Sequence, residues 1–478
     1  MTKFASSSRA AALTGSMRDF RNPPGANLLE RVEAFHDWQK ARRENGLWPL
    51  GRSTEAGPKR LAVARNDDGY RMEGVNFASQ DYLSLASHPA VSAAAVQTVE
   101  EYGVHSAGSP ALVGNTTLSL QLERVIAEFL KTEYVTLFPT GWAAGFGVIK
   151  GLVRQNDHIV MDALSHACLQ EGAQAATKNI SLFRHNSIED ARKKLAAARE
   201  KAPDAGILVV TESLFSMDSD TPDIAALQAL AHEFGATLMV DVAHDLGCLG
   251  EDGTGHIGMQ NMLGKVDVVM GSFSKTFGSN GGFVASNSRG VKEYLRYYAS
   301  PCTFSNALSP IQAAVVLEAF KIISSEEGFG LRKELMTNVR LLRQLLVESG
   351  FEVYGDPSAI VSVKVGSEAL ARLVSRRLPD LGLIANLVEF PAVAKGQARF
   401  RMQVMAKHTQ HHIVDAVWRL GIAYREALKE YEAVLAGKEL PAYTYAIRTE
   451  KPSAEVLNIA GKTIADLTPG AMGLAKSA

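Results

Sequence analysis

The stretch Gly271-Ser272-Phe273-Ser274-Lys275-Thr276-Phe277-Gly278, followed by Gly281-Gly282, puts one lysine just beyond an aliphatic run and surrounds it with small residues. A solvated surface cation has no need of such surroundings, whereas an amine that must meet a ligand does. Upstream, Asp241-Val242-Ala243-His244 follows the apolar run 237–240, and the segment from Thr211 to Asp218 follows the run 207–210 in the same way. Consecutive buried strands that end in polar groups deliver those groups to one edge of a sheet, where open α/β folds bind ligands. A carboxylate there is costly unless it meets a cation or a protonated ring nitrogen. Thr140-Gly141-Trp142-Ala143-Ala144-Gly145, after the run 135–138, is a small-residue turn into a helix, suited to an anion held by backbone amides. Each piece alone has a plainer reading: a loop lysine, a helix-capping aspartate, a glycine turn. Together they are the parts that pyridoxal phosphate (PLP) needs, namely an amine for its aldehyde, an acid for its pyridine nitrogen and amides for its phosphate.

The elements that must position these groups follow from the hydrophobic pattern. Between residues 96 and 330, runs of four or five apolar residues at 135–138, 159–161, 207–210, 237–240 and 266–270 alternate with helical patterns, as strands buried on both faces of a mostly parallel sheet require. This large α/β domain is followed over 331–435 by a smaller α+β domain, with a helix at 331–347 and strands expected at 352–354, 359–365 and 400–404. Before them, 1–45 reads as a mobile arm (1–25) plus an amphipathic helix through Leu28, Leu29, Val32, Phe35 and Trp38; 46–95 is an N-terminal segment and 436–478 a tail.

Composition narrows the class. The chain has 478 residues, 46% hydrophobic, with 50 Lys and Arg against 51 Asp and Glu. That balance argues against a nucleic-acid binder or an acidic-tail protein. Cys168, Cys248 and Cys302 lie far apart without zinc or redox spacing, so neither a disulfide framework nor a metal is expected. No apolar stretch reaches membrane-spanning length and no secretory leader is evident, which makes a cytoplasmic location the expectation, although residues 1–17 contain Lys, Arg and Ser without an acid, as a transit peptide would.

The ordered set Asp162-Ala163-Leu164-Ser165-His166-Ala167, Thr211 to Asp218, Asp241-Val242-Ala243-His244 and Ser272-Phe273-Ser274-Lys275 resembles the α-oxoamine synthases of the fold-type I PLP enzymes, over residues 70–425. The resemblance implies Lys275, His166, Asp241 and His244 as catalytic residues: Lys275 in a Schiff base with the cofactor, Asp241 on its pyridine nitrogen, His244 on its phenolic oxygen and His166 stacked on its ring. It implies Gly141, Trp142, Glu212, Ser216 and Ser272 around the cofactor, with Ser305 and Asn306 reaching the phosphate from a neighbouring subunit, hence a homodimer. Arg401 would hold the substrate carboxylate, with Arg399 as competitor, and Asp81 would lie beside the amino acid. Val242 and Asp245 stand where the family commonly has glutamate and serine. The reaction implied is decarboxylative condensation of an amino acid with an acyl thioester, on CoA or an acyl carrier protein, giving an α-amino ketone. An aminotransferase or aldol-type lyase uses the same parts, and a non-catalytic partner subunit would lack the lysine.

Overall fold

The computed structural model describes residues 9–448. They form two compact units, one over 80–335 and one that combines the residues up to 79 with those from 336 onward.

The first unit is built on a seven-stranded sheet: β1 (Tyr134–Phe138), β2 (His158–Asp162), β3 (Ile180–Phe183), β4 (Ile207–Glu212), β5 (Thr237–Asp241), β6 (Val268–Ser272) and β7 (Gly282–Ser286). The spatial order is β1-β7-β6-β5-β4-β2-β3. Only β7 runs against the others, pairing antiparallel with β1 and β6; the remaining pairs are parallel. The five expected strands are present, each shifted or extended by a residue or two. β3 and β7 go beyond the sequence expectation: β3 is a short edge strand with half of its residues partly covered, and the Gly-rich start of β7 masks its apolar run. Strands β2, β4 and β6 are buried along their whole length. Their Val, Ile and Met side chains pack with those of helices Gly141–Leu152 and Ala167–Ala176 in one core, which is why they read as continuous apolar runs rather than alternating ones.

In the second unit, a three-stranded antiparallel sheet is formed by Ile360–Gly366, Ala398–Gln403 and Asn386–Val388. A four-stranded sheet joins Ser53–Thr54, Leu61–Arg65 and Arg71–Asn76 to Leu383–Ile384. The strand expected at 352–354 is a single bridge, Val353 to Val363, because Gly350 and Gly355 turn the chain on either side of it with positive φ. The helix expected from Leu28 begins later, as Glu33–Glu44. The Asn27 side chain accepts the amides of Leu29 and Glu30, a turn that leaves Leu28, Leu29 and Val32 exposed. Phe35 and Trp38 do find partners, in an aromatic cluster with Phe20 and Trp48. Within the expected mobile arm, residues 9–20 hold two 3₁₀ turns, and Ala12 and Leu13 are buried. Of the expected tail, 437–448 are described, with Leu440 fully buried; the part from 449 lies outside the described residues, as do 1–8. Among the described residues no helix is long and apolar enough to cross a membrane.

Candidate active site

Because β1, β2, β4, β5 and β6 run the same way, their carboxyl ends share one sheet edge. There, a cavity of about 250 Å³ is lined by Lys275, Asp241, His166, His244, Glu212, Ser272, Gly141 and Trp142. Eight residues from five separate segments of the sequence reading thus meet in one place. Cys168, Asn280 and Gly281 also line it. Gly281 belongs to the glycine pair that follows Lys275 in the sequence; Cys168 and Asn280 carry no role in the sequence expectation, although Cys168 stands two residues after His166.

Local chemistry fixes each group. Lys275 rides on a turn in which the Gly278 amide donates to the Lys275 carbonyl at 3.1 Å, with Gly278 at φ 61°; a Cβ there would press on the Ala86 backbone. Ser272 Oγ and Ser274 Oγ lie 2.8 Å apart. Helix Gly141–Leu152 starts at the same spot, its N-cap Thr140 accepting the Ala143 amide at 3.0 Å. A Cβ on Gly141 would overlap the Ser272 side chain, so only glycine lets the helix start lie against that serine. His166 is the N-cap residue of helix Ala167–Ala176, and its Nδ1 accepts the Cys168 amide at 3.3 Å. Tyr82 Oη and His244 Nδ1 lie 3.0 Å apart across 162 residues of sequence.

Electrostatics separates the acids. Burial raises the pKa of Asp241, and the Lys275 amine and His166 pull it back down. Burial and the Asp241 charge together push Glu212 well above the ordinary carboxylate range. Cys168 is driven upward, by burial first and then by these two acids, and so stays a thiol.

Other predicted residues lie elsewhere. Ser216 is buried in the loop after β4, outside the cavity lining. Asp81 is 4% exposed and folds its own turn, accepting the amides of Leu85 and Ala86 at 2.9 and 3.2 Å; burial outweighs those bonds and raises its pKa to about 6. Ser305 and Asn306 lie outside this cavity, next to Phe304, which is 85% exposed. In the second unit, Arg401 and Arg399 share a face of strand Ala398–Gln403. The Arg399 guanidinium is committed to the Tyr354 ring, 4.1 Å from its centroid. No group of His, Cys, Asp and Glu able to hold a metal occurs among the described residues.

These residues fit PLP on the structure's own terms: a helix start that only glycine can form beside a serine, and a buried acid facing a lysine amine in one cavity. The comparisons agree. The family model for aminotransferase class I and II matches residues 72–420. The 8-amino-7-oxononanoate synthase of Thermoanaerobacter pseudethanolicus is 33% identical over 387 residues, 80% of this chain and 93% of that protein. The serine palmitoyltransferase of Sphingobacterium spiritivorum is 33% identical over 400 residues, covering 84% and 97%. A solved serine palmitoyltransferase from S. paucimobilis with bound PLP–myriocin superposes with a TM-score of 0.79 at 28% identity, covering 84% of this chain and all of that one. Fold and cavity define a PLP-dependent transferase. Within that class, the chain belongs to the α-oxoamine synthases.

Proposed function

We propose that the cavity at the sheet edge is where this enzyme joins the α-carbon of an amino acid to the acyl group of a thioester, with loss of carbon dioxide and release of the thiol. The observation that carries this reading is the convergence of Lys275, Asp241 and His166 on one cavity. When bound, PLP supplies an aldehyde that takes up the amino group and a ring that accepts the electrons left by α-proton removal. Lys275 would hold the cofactor through its amine, and the same amine would serve as the base for the substrate α-proton. Asp241 keeps the ring nitrogen protonated, which its burial makes worthwhile only opposite a cation. The amides at the start of helix Gly141–Leu152 and the Ser272 hydroxyl would bind the phosphate; His166 would cover the ring, and His244, with Tyr82 on its Nδ1, would donate to the phenolic oxygen. Arg401 binds the substrate carboxylate, a role supported by the engagement of Arg399 with Tyr354.

The enzyme works as a homodimer in the cytoplasm. Exposed Leu112, Val113 and Phe304 are apolar surface of the kind an interface covers, and Ser305 and Asn306 are assigned to the partner's cavity. The deciding experiment incubates PLP-loaded protein with an amino acid and an acyl thioester and weighs the product. A mass equal to amino acid plus thioester minus carbon dioxide and the free thiol is expected. A keto acid instead would make it an aminotransferase. Light scattering at twice the chain mass is expected in the same preparation.

A further inference from the structure

Two carboxylates share the cavity with one lysine. Glu212 and Asp241 are register partners on β4 and β5, so their side chains leave the same face of the sheet. Both line the cavity, at 3% and 6% exposure. Their company differs. Asp241 has the Lys275 amine and His166 in its favour and accepts the Ala243 amide at 2.9 Å. Glu212 has Lys275 too, but it is opposed by both Asp241 and Asp162. Two buried acids side by side do not both ionise; the one with the better cationic surroundings keeps the charge.

Glu212 also has a definite mechanical task. Its Oε1 accepts the His166 amide at 2.5 Å, while the His166 ring accepts the Cys168 amide on the helix side. His166 is therefore pinned from both sides, by a side chain of β4 and by the first turn of its own helix. A neutral acid can accept the amide bond as an anion does, and it leaves the cavity with a single negative side chain.

We infer that Glu212 stands in this cavity as a neutral carboxylic acid and acts as a positioning residue, tying His166 to β4 and leaving Asp241 as the one carboxylate for the cofactor's ring nitrogen. The inference rests on the PLP reading proposed above and assigns a protonation state and a task within it. An ionised Glu212 would raise the proton affinity of Asp241 and draw the proton away from the ring nitrogen; the neutral form removes that competition.

The test compares wild type, Glu212→Gln, Glu212→Ala and, as a reference, His166→Ala. Infrared spectra of cofactor-free wild type should contain the band of a buried protonated carboxylic acid, and Glu212→Gln should lack it. Titration with PLP, followed by visible circular dichroism, should show a cofactor dissociation constant raised less than about 3-fold in Glu212→Gln and more than about 10-fold in Glu212→Ala, the latter with the weakened dichroism of His166→Ala. Absence of the acid band in wild type, or a Gln variant as impaired as the Ala variant, would overturn the inference. Should Glu212→Ala not fold, the band and the Gln variant still decide. Wild-type protein that takes up no PLP would instead sink the parent reading, and this one with it.

Discussion

Lys275 is half-buried and lines a cavity rather than filling a core, so its removal should silence the enzyme without unfolding it. Lys275→Ala is expected to lower turnover by at least about 1000-fold while its melting temperature stays close to that of wild type; condensation at the wild-type rate, measured by product mass, would reject the assignment. The two arginines of strand Ala398–Gln403 should part company. Arg401→Ala is expected to raise the KM for the amino acid about 100-fold while barely moving PLP affinity, since a bidentate guanidinium–carboxylate contact is lost. Arg399→Ala should instead cost about 2 kcal/mol of stability in urea melts, through the lost stack on Tyr354. Swapped phenotypes would reverse the two roles.

At the level of elements, the loop after β4 is held against the ends of β2 and β3 by one imidazole. His185 Nδ1 meets Asp162 at 2.9 Å and its Nε2 meets Asp220 at 2.9 Å, while the Asn186 amide also reaches Asp220. Burial works against a charge on His185, but the hydrogen bonds to the two aspartates prevail and raise its pKa from 6.5 to about 10. The folded value lies above the unfolded one, so this clasp contributes fully below pH 6.5 and its contribution is lost as pH rises towards 10. Urea midpoints of wild type should therefore fall more steeply across that range than those of His185→Gln. Parallel slopes would show that the imidazole carries no such charge. Because the loop bears Ser213 and Ser216, the clasp keeps one wall of the site region in register with the strands that carry Asp162 and Glu212.

On the scale of the whole molecule, the segments at both ends of the described chain are fastened to one stretch, the helix Glu368–Arg377 and the turn after it. Arg372 donates to the carbonyls of Leu13 and Gly15 at 2.5 and 2.7 Å and pairs with Glu389, which also pairs with Arg42. Arg42 lies against the rings of Trp38 and Trp48, and burial lowers its pKa to about 10. Further along, Arg376 stacks on Tyr443, and Asp380 accepts the hydroxyls of Tyr70 and Tyr443 and the Ala446 amide. Arg372→Ala should destabilise the protein by about 3 kcal/mol, because it leaves buried carbonyls and Glu389 short of a partner. Deletion of residues 1–16 should destabilise it too, and the two losses should be far from additive in a urea-melt cycle. Full additivity would mean the arm and Arg372 do not act together.

The cavity of this protein was legible in the sequence because its lining is local: Lys275, Asp241, His166 and Gly141 each sit within a few residues of an apolar run that ends at the sheet edge, and chain direction alone brings such positions together. What the sequence could not reveal depends on which strands are neighbours. That Glu212 and Asp241 are register partners follows from β4 lying next to β5; that Tyr82 reaches His244, and that Arg399 is occupied by Tyr354, follows from pairings across long stretches of chain. The terminal segments show the same limit. Their composition is polar and weakly periodic, so nothing local marks them as ordered, and their fastening comes from carbonyls and aromatic rings that meet Arg372, Arg376 and Asp380 only after the rest has folded. Residue type and spacing determined which groups gather in the cavity; tertiary packing decided their charge, their orientation and what holds them there.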